Sequence, residues 1–305
     1  MICLSLTRET ISEALDDVRR NLQWIDMVEL RADRLAKRDA ETLSRFPAEL
    51  AKVVAGGTEE RTIGCILTLR RAVDGGSFVG DEEDRLQLMS VALGTGNGGG
   101  ALGTGSGRGA PGTGGGRAAP GTAARGYDYV DLELDLEDHE PGRALRRQSQ
   151  AAGIRVIRSY HDFNGVPERD RLEFLYGELC RRENEIPKLA VTPQTSEDLL
   201  RLIRLLQNGA GRDRIVLGMG TVGFPTRVLA GVLGGFLSYT SADSGGAVAA
   251  APGHVSAPTL AETYRYHQIS EDTALFGIIG KPVMHSSSPA FHNHQFSEKN
   301  LDAVY

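Results

Sequence analysis

Short apolar, β-branched runs alternate with longer segments of helical period along most of this 305-residue chain, and that alternation limits the folds open to it. The apolar runs fall at 2–6, 24–31, 62–70, 127–134, 155–161, 187–192, 214–219 and 236–241, and helical periodicity marks 10–22, 82–93, 168–182 and 196–208 among the segments between them. In the last of these, Leu199, Leu202, Ile203 and Leu206 share one face, which reads as core packing. Repeated βα units of this kind predict an α/β protein. Eight of them in about 265 residues match the usual ~250-residue size of a (β/α)8 TIM barrel, with a doubly wound open sheet as the alternative.

Composition narrows the chemistry. A net charge of -6 with both signs interspersed leaves no electrostatic footprint for nucleic acid. Cys3, Cys65 and Cys180 are widely spaced and odd in number, which argues against a disulfide framework and against a zinc site. No apolar run approaches the ~20 residues that span a bilayer, and no basic stretch precedes the first apolar residues. The expectation is therefore a cytoplasmic protein with no membrane association, or a plastid one if a transit segment has been removed, acting on a small molecule. Residues 94–126 are Gly, Ala, Thr, Pro and Arg with almost nothing to bury, and predict a disordered surface insertion between the third helix and the fourth strand. The GxGxxG at Gly94, Gly96 and Gly99 follows a helix and opens into more glycine, the wrong context for a dinucleotide site.

Barrel enzymes build their sites at the C-terminal ends of the strands, so polar residues closing apolar runs are the candidates. These are Glu29 and Arg31 on strand two, Arg70 on strand three, His161 on strand five, Lys188 in strand six and Arg227 in the loop after strand seven. Lys188 is the only lysine between Lys52 and Lys281 and interrupts the apolar run Ile186, Pro187, Leu189, Ala190, Val191. Burial can depress an ammonium pKa until the amine is a nucleophile, which a guanidinium does not allow; the alternative is a lysine whose stem packs and whose head reaches water. Period-two alternation puts Glu29 and Arg31 on one face, to meet one ligand or to pair with each other. A nucleophilic lysine, a histidine near neutral pKa and several arginines suggest imine chemistry on an anionic carbonyl compound. An iminium acidifies the neighbouring C–H, His161 is the candidate base, and Arg227 the candidate fork for a carboxylate. The alternative for His161 is a ring satisfied by backbone groups.

Six motifs together resemble type I 3-dehydroquinate dehydratases: Val28 to Asp33, Thr68 to Arg70, Arg158 to Phe163, Pro187 to Pro193, Met219 and Gly220 with Arg227, and Ala251, Pro252 and Gly253. The tail from Phe276 through Lys281, Pro282, Ser286, Ser288 and Pro289 to Asn293 resembles the start of shikimate dehydrogenase, in the order of plant-type bifunctional enzymes. The domains expected are a dehydratase barrel over 1–267 and an incomplete dehydrogenase substrate-binding domain over 275–305.

The resemblance implies a lyase of the shikimate pathway, in which Lys188 forms a Schiff base with the ketone of 3-dehydroquinate. His161 removes the adjacent proton and helps water leave, giving 3-dehydroshikimate. Arg227 holds the carboxylate, Glu29, Arg31 and Arg70 address the ring hydroxyls, and Met219 lines the site. It implies no metal and no dissociable cofactor, NADP being expected only for the missing dehydrogenase part. A homodimer is compatible with this reading, but nothing in the residues derives one. Asp74 stands where the family has a glutamate that orients the histidine, one methylene shorter, so a longer or water-relayed bond and a slower enzyme are expected. Ala250 and His254 stand where the family usually has a serine and a glutamine. Losing the hydroxyl removes a hydrogen bond worth roughly 0.5–1.5 kcal/mol, and His254 would make affinity pH-dependent if it touches substrate. Ser286 and Ser288 match the dehydrogenase substrate pair, but Tyr305 precedes that family's catalytic lysine and aspartate and any nucleotide-binding unit. The tail is therefore expected to be inactive in reduction and poorly ordered. Two other readings remain: an aldolase-type imine barrel, which expects a glycine-rich phosphate site that Gly231, Gly234 and Gly235, inside a helical run, do not supply, and an eroded barrel serving as a binding or scaffold module.

Overall fold

A computed structural model describes residues 1–57, 61–95, 126–208, 211–242, 255–280, 283 and 285–305. Ala250, His254 and most of the 94–126 segment lie outside the described residues. Eight strands, β1 (Ile2–Leu6), β2 (Met27–Arg31), β3 (Gly64–Thr68), β4 (Tyr129–Glu133), β5 (Arg155–Asp162), β6 (Ile186–Val191), β7 (Ile215–Gly218) and β8 (Ser238–Ser241), form one sheet in the order β7-β6-β5-β4-β3-β2-β1-β8. All the pairings are parallel. The Phe236 amide donates to Arg214 O at 2.8 Å, just before β8 and β7 begin, and brings the two ends of the sheet together. This is the (β/α)8 barrel expected from the repeats.

Helices α1 (Ile11–Asn21), α2 (Ala40–Ala55), α3 (Glu82–Ala92), α4 (Glu140–Ala151), α5 (Arg169–Leu179) and α6 (Ser196–Asn208) follow the first six strands in turn. Four start on side-chain caps that satisfy a free amide of the first turn: Thr10 accepts from Glu13, Asp39 from Thr42, Asp81 from Glu83 and Thr195 from Asp198. After β7 come the short α7 (Gly220–Gly223) and α8 (Pro225–Val232). Arg227, read as a loop residue, lies in α8, where Pro225 opens the helix. Of the three late glycines read as helical, only Gly231 is inside α8; Gly234 follows its end with φ +70, a conformation glycine adopts without strain. The eighth crossover is a wide π-type turn, Thr259–Thr263, in place of a full helix. No helix among the described residues is long and apolar enough to cross a membrane.

The strands read as apolar runs because both of their faces are covered. Outward side chains such as Leu4, Val28, Leu67 and Val130 pack with Val18, Phe46, Leu50 and Leu86 from the helices. The inward faces change character along each strand. Met27, Ile66 and Ile157 belong to an apolar cluster inside the barrel. Two and four residues later on the same faces stand Glu29 and Arg31, Thr68 and Arg70, Ser159 and His161. On β4 the same step runs from Tyr129, packed against that cluster, to Asp131 and Glu133.

The tail corrects an expectation. Far from poorly ordered, it contains helix α9 (Ser288–Glu298) between β9 (Ala274–Leu275) and β10 (Ala303–Val304), which pair in parallel. Asn293 and Tyr305 exchange two hydrogen bonds, Arg265 Nη2 donates to the carbonyls of Leu301 and Ala303, and Val304 joins the barrel's outer core. A segment too small to bury a core of its own is ordered by docking on one that exists.

Candidate active site

Lys188 is buried near the middle of β6, with its nitrogen inside the barrel. Nζ donates to Asp131 Oδ2 at 2.7 Å and to Tyr239 OH at 3.0 Å, and Glu29 Oε1 lies 3.6 Å away. Each partner comes from a different strand, so the barrel's closure assembles the group: Asp131 from β4, Tyr239 from β8, Glu29 from β2. Glu29 is fixed by hydroxyls from its neighbours, Ser5 to Oε2 and Thr68 to Oε1, both at 2.9 Å. It does not pair with Arg31. Arg31 forms a two-pronged bond with Asp33, 2.9 Å on each prong.

Arg70 lies between two buried acids, 2.8 Å from Asp131 Oδ1 and 2.9 Å from Glu133 Oε1, and Nη1 also donates to Ser159 at 3.0 Å. Arg85, fully buried on α3, bonds the other Glu133 oxygen at 2.9 Å. For Asp131 and Arg70, burial alone would disfavour the ion, but the pairing outweighs it. Asp131 is held below the usual carboxylate range by Arg70 and Lys188, and Arg70 is driven above the usual guanidinium value by Asp131 and Glu133.

One cavity is lined by Glu29, Arg31, Arg70, Asp74, His161, Lys188, Met219 and Arg227, the barrel residues picked out from sequence wherever the structure describes them. His161 stands at the upper end of β5, and its Nδ1 has no hydrogen-bond partner among the described residues. Its pKa is pushed well below the ordinary imidazole value by desolvation, then by the nearby charges of Arg70 and Lys188, with Asp131 opposing. The ring is therefore neutral at neutral pH. Arg227 is almost fully buried, donates from Nη1 to Tyr239 O at 3.0 Å, and has its pKa drawn down to about 10 by desolvation.

Asp74 reaches the cavity rim but does not hold His161. Its carboxylate accepts from Arg71 Nε at 2.6 Å, and burial raises its pKa against the pull of Arg71. The loop lies low because it carries Gly75 and Gly76. A Cβ at Gly75, where φ is +77, would fall 2.2 Å from the Phe163 ring, and one at Gly76 would fall 2.1 Å from Arg70 O. Ser286 and Ser288 belong to the tail, where the Ser288 amide donates to Ser286 Oγ at the start of α9, and they take no part in the barrel cavity.

Asp131, Glu133, Ser159 and Tyr239 were not among the residues picked out from sequence. A signal existed for the two acids: Asp131 and Glu133 alternate on one face at the end of an apolar run, as Glu29 and Arg31 do. Chemically, the arrangement presents an amine beside the carboxylate that pairs with it, a neutral imidazole and a buried cation lining one cavity.

The sequence model of the type I 3-dehydroquinase family matches residues 2–98 and 119–271. The bifunctional 3-dehydroquinate dehydratase/shikimate dehydrogenase of Arabidopsis thaliana chloroplasts is 25% identical over 314 residues, taking in 100% of this chain and 43% of that protein. A 3-dehydroquinate dehydratase of Methanosarcina barkeri is 30% identical over 234 residues, covering 75% of this chain and 79% of the relative. Among solved structures, a type I 3-dehydroquinate dehydratase from Clostridium difficile superimposes with a TM-score of 0.65 at 21% identity, over 85% of this chain and 89% of that one. The chain thus carries the family's pattern across its barrel and belongs to the type I 3-dehydroquinase family.

Proposed function

We propose that the barrel dehydrates 3-dehydroquinate to 3-dehydroshikimate through an imine on Lys188. The observation that carries this reading is the position of Lys188 Nζ, 2.7 Å from the Asp131 carboxylate in the cavity that His161 and Arg227 also line. Neutral His161, which lines the same cavity, takes a proton from the ammonium, the free amine adds to the ketone, and the imidazolium hands that proton to the carbinolamine oxygen. Loss of water gives an iminium, which withdraws electrons from the adjacent carbon. Neutral His161 then removes the acidified proton and returns it to the departing hydroxyl. Because the iminium is the electron sink, the reaction needs neither a metal nor a dissociable cofactor.

Arg227 is assigned to the substrate carboxylate, whose arrival places a counter-charge beside a guanidinium that burial disfavours. Glu29 and Arg31 are assigned to ring hydroxyls and Met219 to the cavity wall. The bonds of Arg70 to Asp131, Glu133 and Ser159 point to holding Asp131 rather than to a ring hydroxyl. Asp74 acts at the rim, coupled to Arg71. Residues 275–305 are read as the start of a dehydrogenase substrate-binding domain following a barrel over 1–267, supported by the match of the whole chain to the bifunctional Arabidopsis protein.

The test is to mix the protein with 3-dehydroquinate and follow the ultraviolet absorbance of the conjugated enone, which only dehydration creates. Turnover that survives dialysis against a chelator is expected. Folded protein that yields no enone, or that cleaves sugar phosphates instead, would overturn the assignment.

A further inference from the structure

A cation in the helix layer reaches Lys188 through an unbroken chain of buried ions. Lys188 Nζ meets Asp131 Oδ2 at 2.7 Å, Asp131 Oδ1 meets Arg70 Nη2 at 2.8 Å, Arg70 Nη1 meets Glu133 Oε1 at 2.9 Å, and Glu133 Oε2 meets Arg85 Nη2 at 2.9 Å. The charges alternate along its whole length. Arg85 stands on α3, is fully buried, and is not one of the residues lining the cavity around Lys188. Burial disfavours its charge, and Glu133 and Glu82 outweigh that and hold its pKa above the ordinary guanidinium value. All five of its N–H groups have an acceptor. Nε and one Nη2 hydrogen go to the two Glu82 oxygens at 2.9 and 2.6 Å, the other Nη2 hydrogen to Glu133 Oε2, and Nη1 to Leu69 O and, at 3.3 Å, to Glu133 Oε1. Two of these acceptors bear on Arg70: Glu133 is the carboxylate it pairs with, and Leu69 O belongs to the peptide that leads into it.

We propose that Arg85 is a positioning residue for imine formation: by fixing Glu133 and the Leu69 carbonyl it sets Arg70 where that guanidinium holds Asp131 beside Lys188. This inference rests on the imine reading above. Without Arg85, the buried group of Lys188, Arg70, Asp131, Glu133 and Glu29 keeps two cations against three acids, and Glu133 loses its partner on Oε2. Arg70 then turns toward Glu133 and loosens from Asp131. Asp131 is left to lean on Lys188 alone, and the amine is no longer held where the ketone arrives. The groups assigned to the rest of the substrate keep their own supports, Arg227 on Tyr239 O, Glu29 on Ser5 and Thr68, and Arg31 on Asp33. Chemistry should therefore suffer while binding does not. The alternative, an arginine that only pins α3 to the sheet, accounts for the bonds to Glu82 and Leu69 O and predicts a less stable barrel whose folded molecules react at the parent rate.

The test compares Arg85→Met and Arg85→Lys with the parent chain, each checked for its fold by circular dichroism. Two quantities are read. One is the rate at which borohydride traps the Lys188 adduct at saturating 3-dehydroquinate. The other is the Kd, by calorimetry, of the alcohol made by reducing that ketone, which keeps the carboxylate and hydroxyls but cannot form an imine. In Arg85→Met the adduct should form about 100-fold more slowly, the scale of loss that a misplaced reacting group brings, while Kd stays within about 3-fold of the parent. Arg85→Lys keeps the charge but has three donors and no fork, and should be slowed about 10-fold. A parent rate in either variant, or a Kd that worsens in step with the rate, would overturn the proposal. If Arg85→Met does not fold, Arg85→Lys decides by the same two readings. Failure of the imine reading itself is distinguishable, since the parent chain would then trap no adduct on Lys188 at any time.

Discussion

The lower and upper halves of the barrel interior are lined by the same strands and the same inward faces, yet they are chemically opposite. Met27, Ile66 and Ile157 fill the lower half with apolar side chains. Two residues further along those faces, Glu29, Thr68 and Ser159 are joined by Asp131, Lys188, Arg70 and Glu133 in a buried ionic network. The lower half gains from leaving water and asks only for shape. In the upper half every buried charge is costly alone and is tolerated because its neighbours satisfy it, so the groups hold each other in place. The lower half serves stability, and the upper half concentrates reactive groups at the strand ends where substrate enters.

The sharpest way to break this comparison is Lys188→Met, which should leave a folded barrel while turnover falls by about four orders of magnitude or more, measured by enone formation alongside circular dichroism. Next is Arg70→Leu, which leaves Asp131 and Glu133 buried beside a lost cation. Its cost should be about 3–5 kcal/mol by urea denaturation, with activity lost as well. Ile66→Ala, in the lower half, should cost about 2–5 kcal/mol through its cavity while kcat stays within a few-fold of the parent, so that stability and chemistry separate.

A fourth prediction concerns pH. His161 has a folded pKa well below the unfolded value of about 6.5, so the folded state binds fewer protons between the two. Its contribution to stability is present above pH 6.5 and is lost as pH falls toward the folded pKa. The acid limb of kcat/KM should lie below 6.5, and a limb at or above that value would contradict a neutral His161. The smallest effect is expected for Asp74→Glu, which extends the rim carboxylate by one methylene towards the cavity and should raise kcat by less than about ten-fold.

The barrel was legible because buried parallel strands leave continuous apolar runs, and all eight lie within or close to the runs read from sequence. Strand two was read too long: it begins at Met27, and Trp24 still belongs to the turn that ends α1, its amide donating to Asn21 O at 3.0 Å. Helix α2 was not picked out, and it runs through Pro47, a residue that normally interrupts a helix. The cationic half of the site was legible because lysine and arginine are conspicuous in apolar runs. Of its partners, Glu29 was legible and Asp131 and Glu133 carried the same period-two signal, whereas a strand tyrosine reads as core. Only closure of the barrel brings Tyr239 to Lys188, 51 residues away in sequence. The order of the tail was equally hidden, because β9 and β10 pair across α9 and local periodicity carries no sign of it.

Imine chemistry on Lys188 is tested most directly by borohydride reduction of the parent chain with 3-dehydroquinate, followed by intact mass and peptide mapping. One stable adduct, on Lys188, is expected. A folded protein that binds the ligand and yields no adduct, or yields one on another lysine, would contradict it.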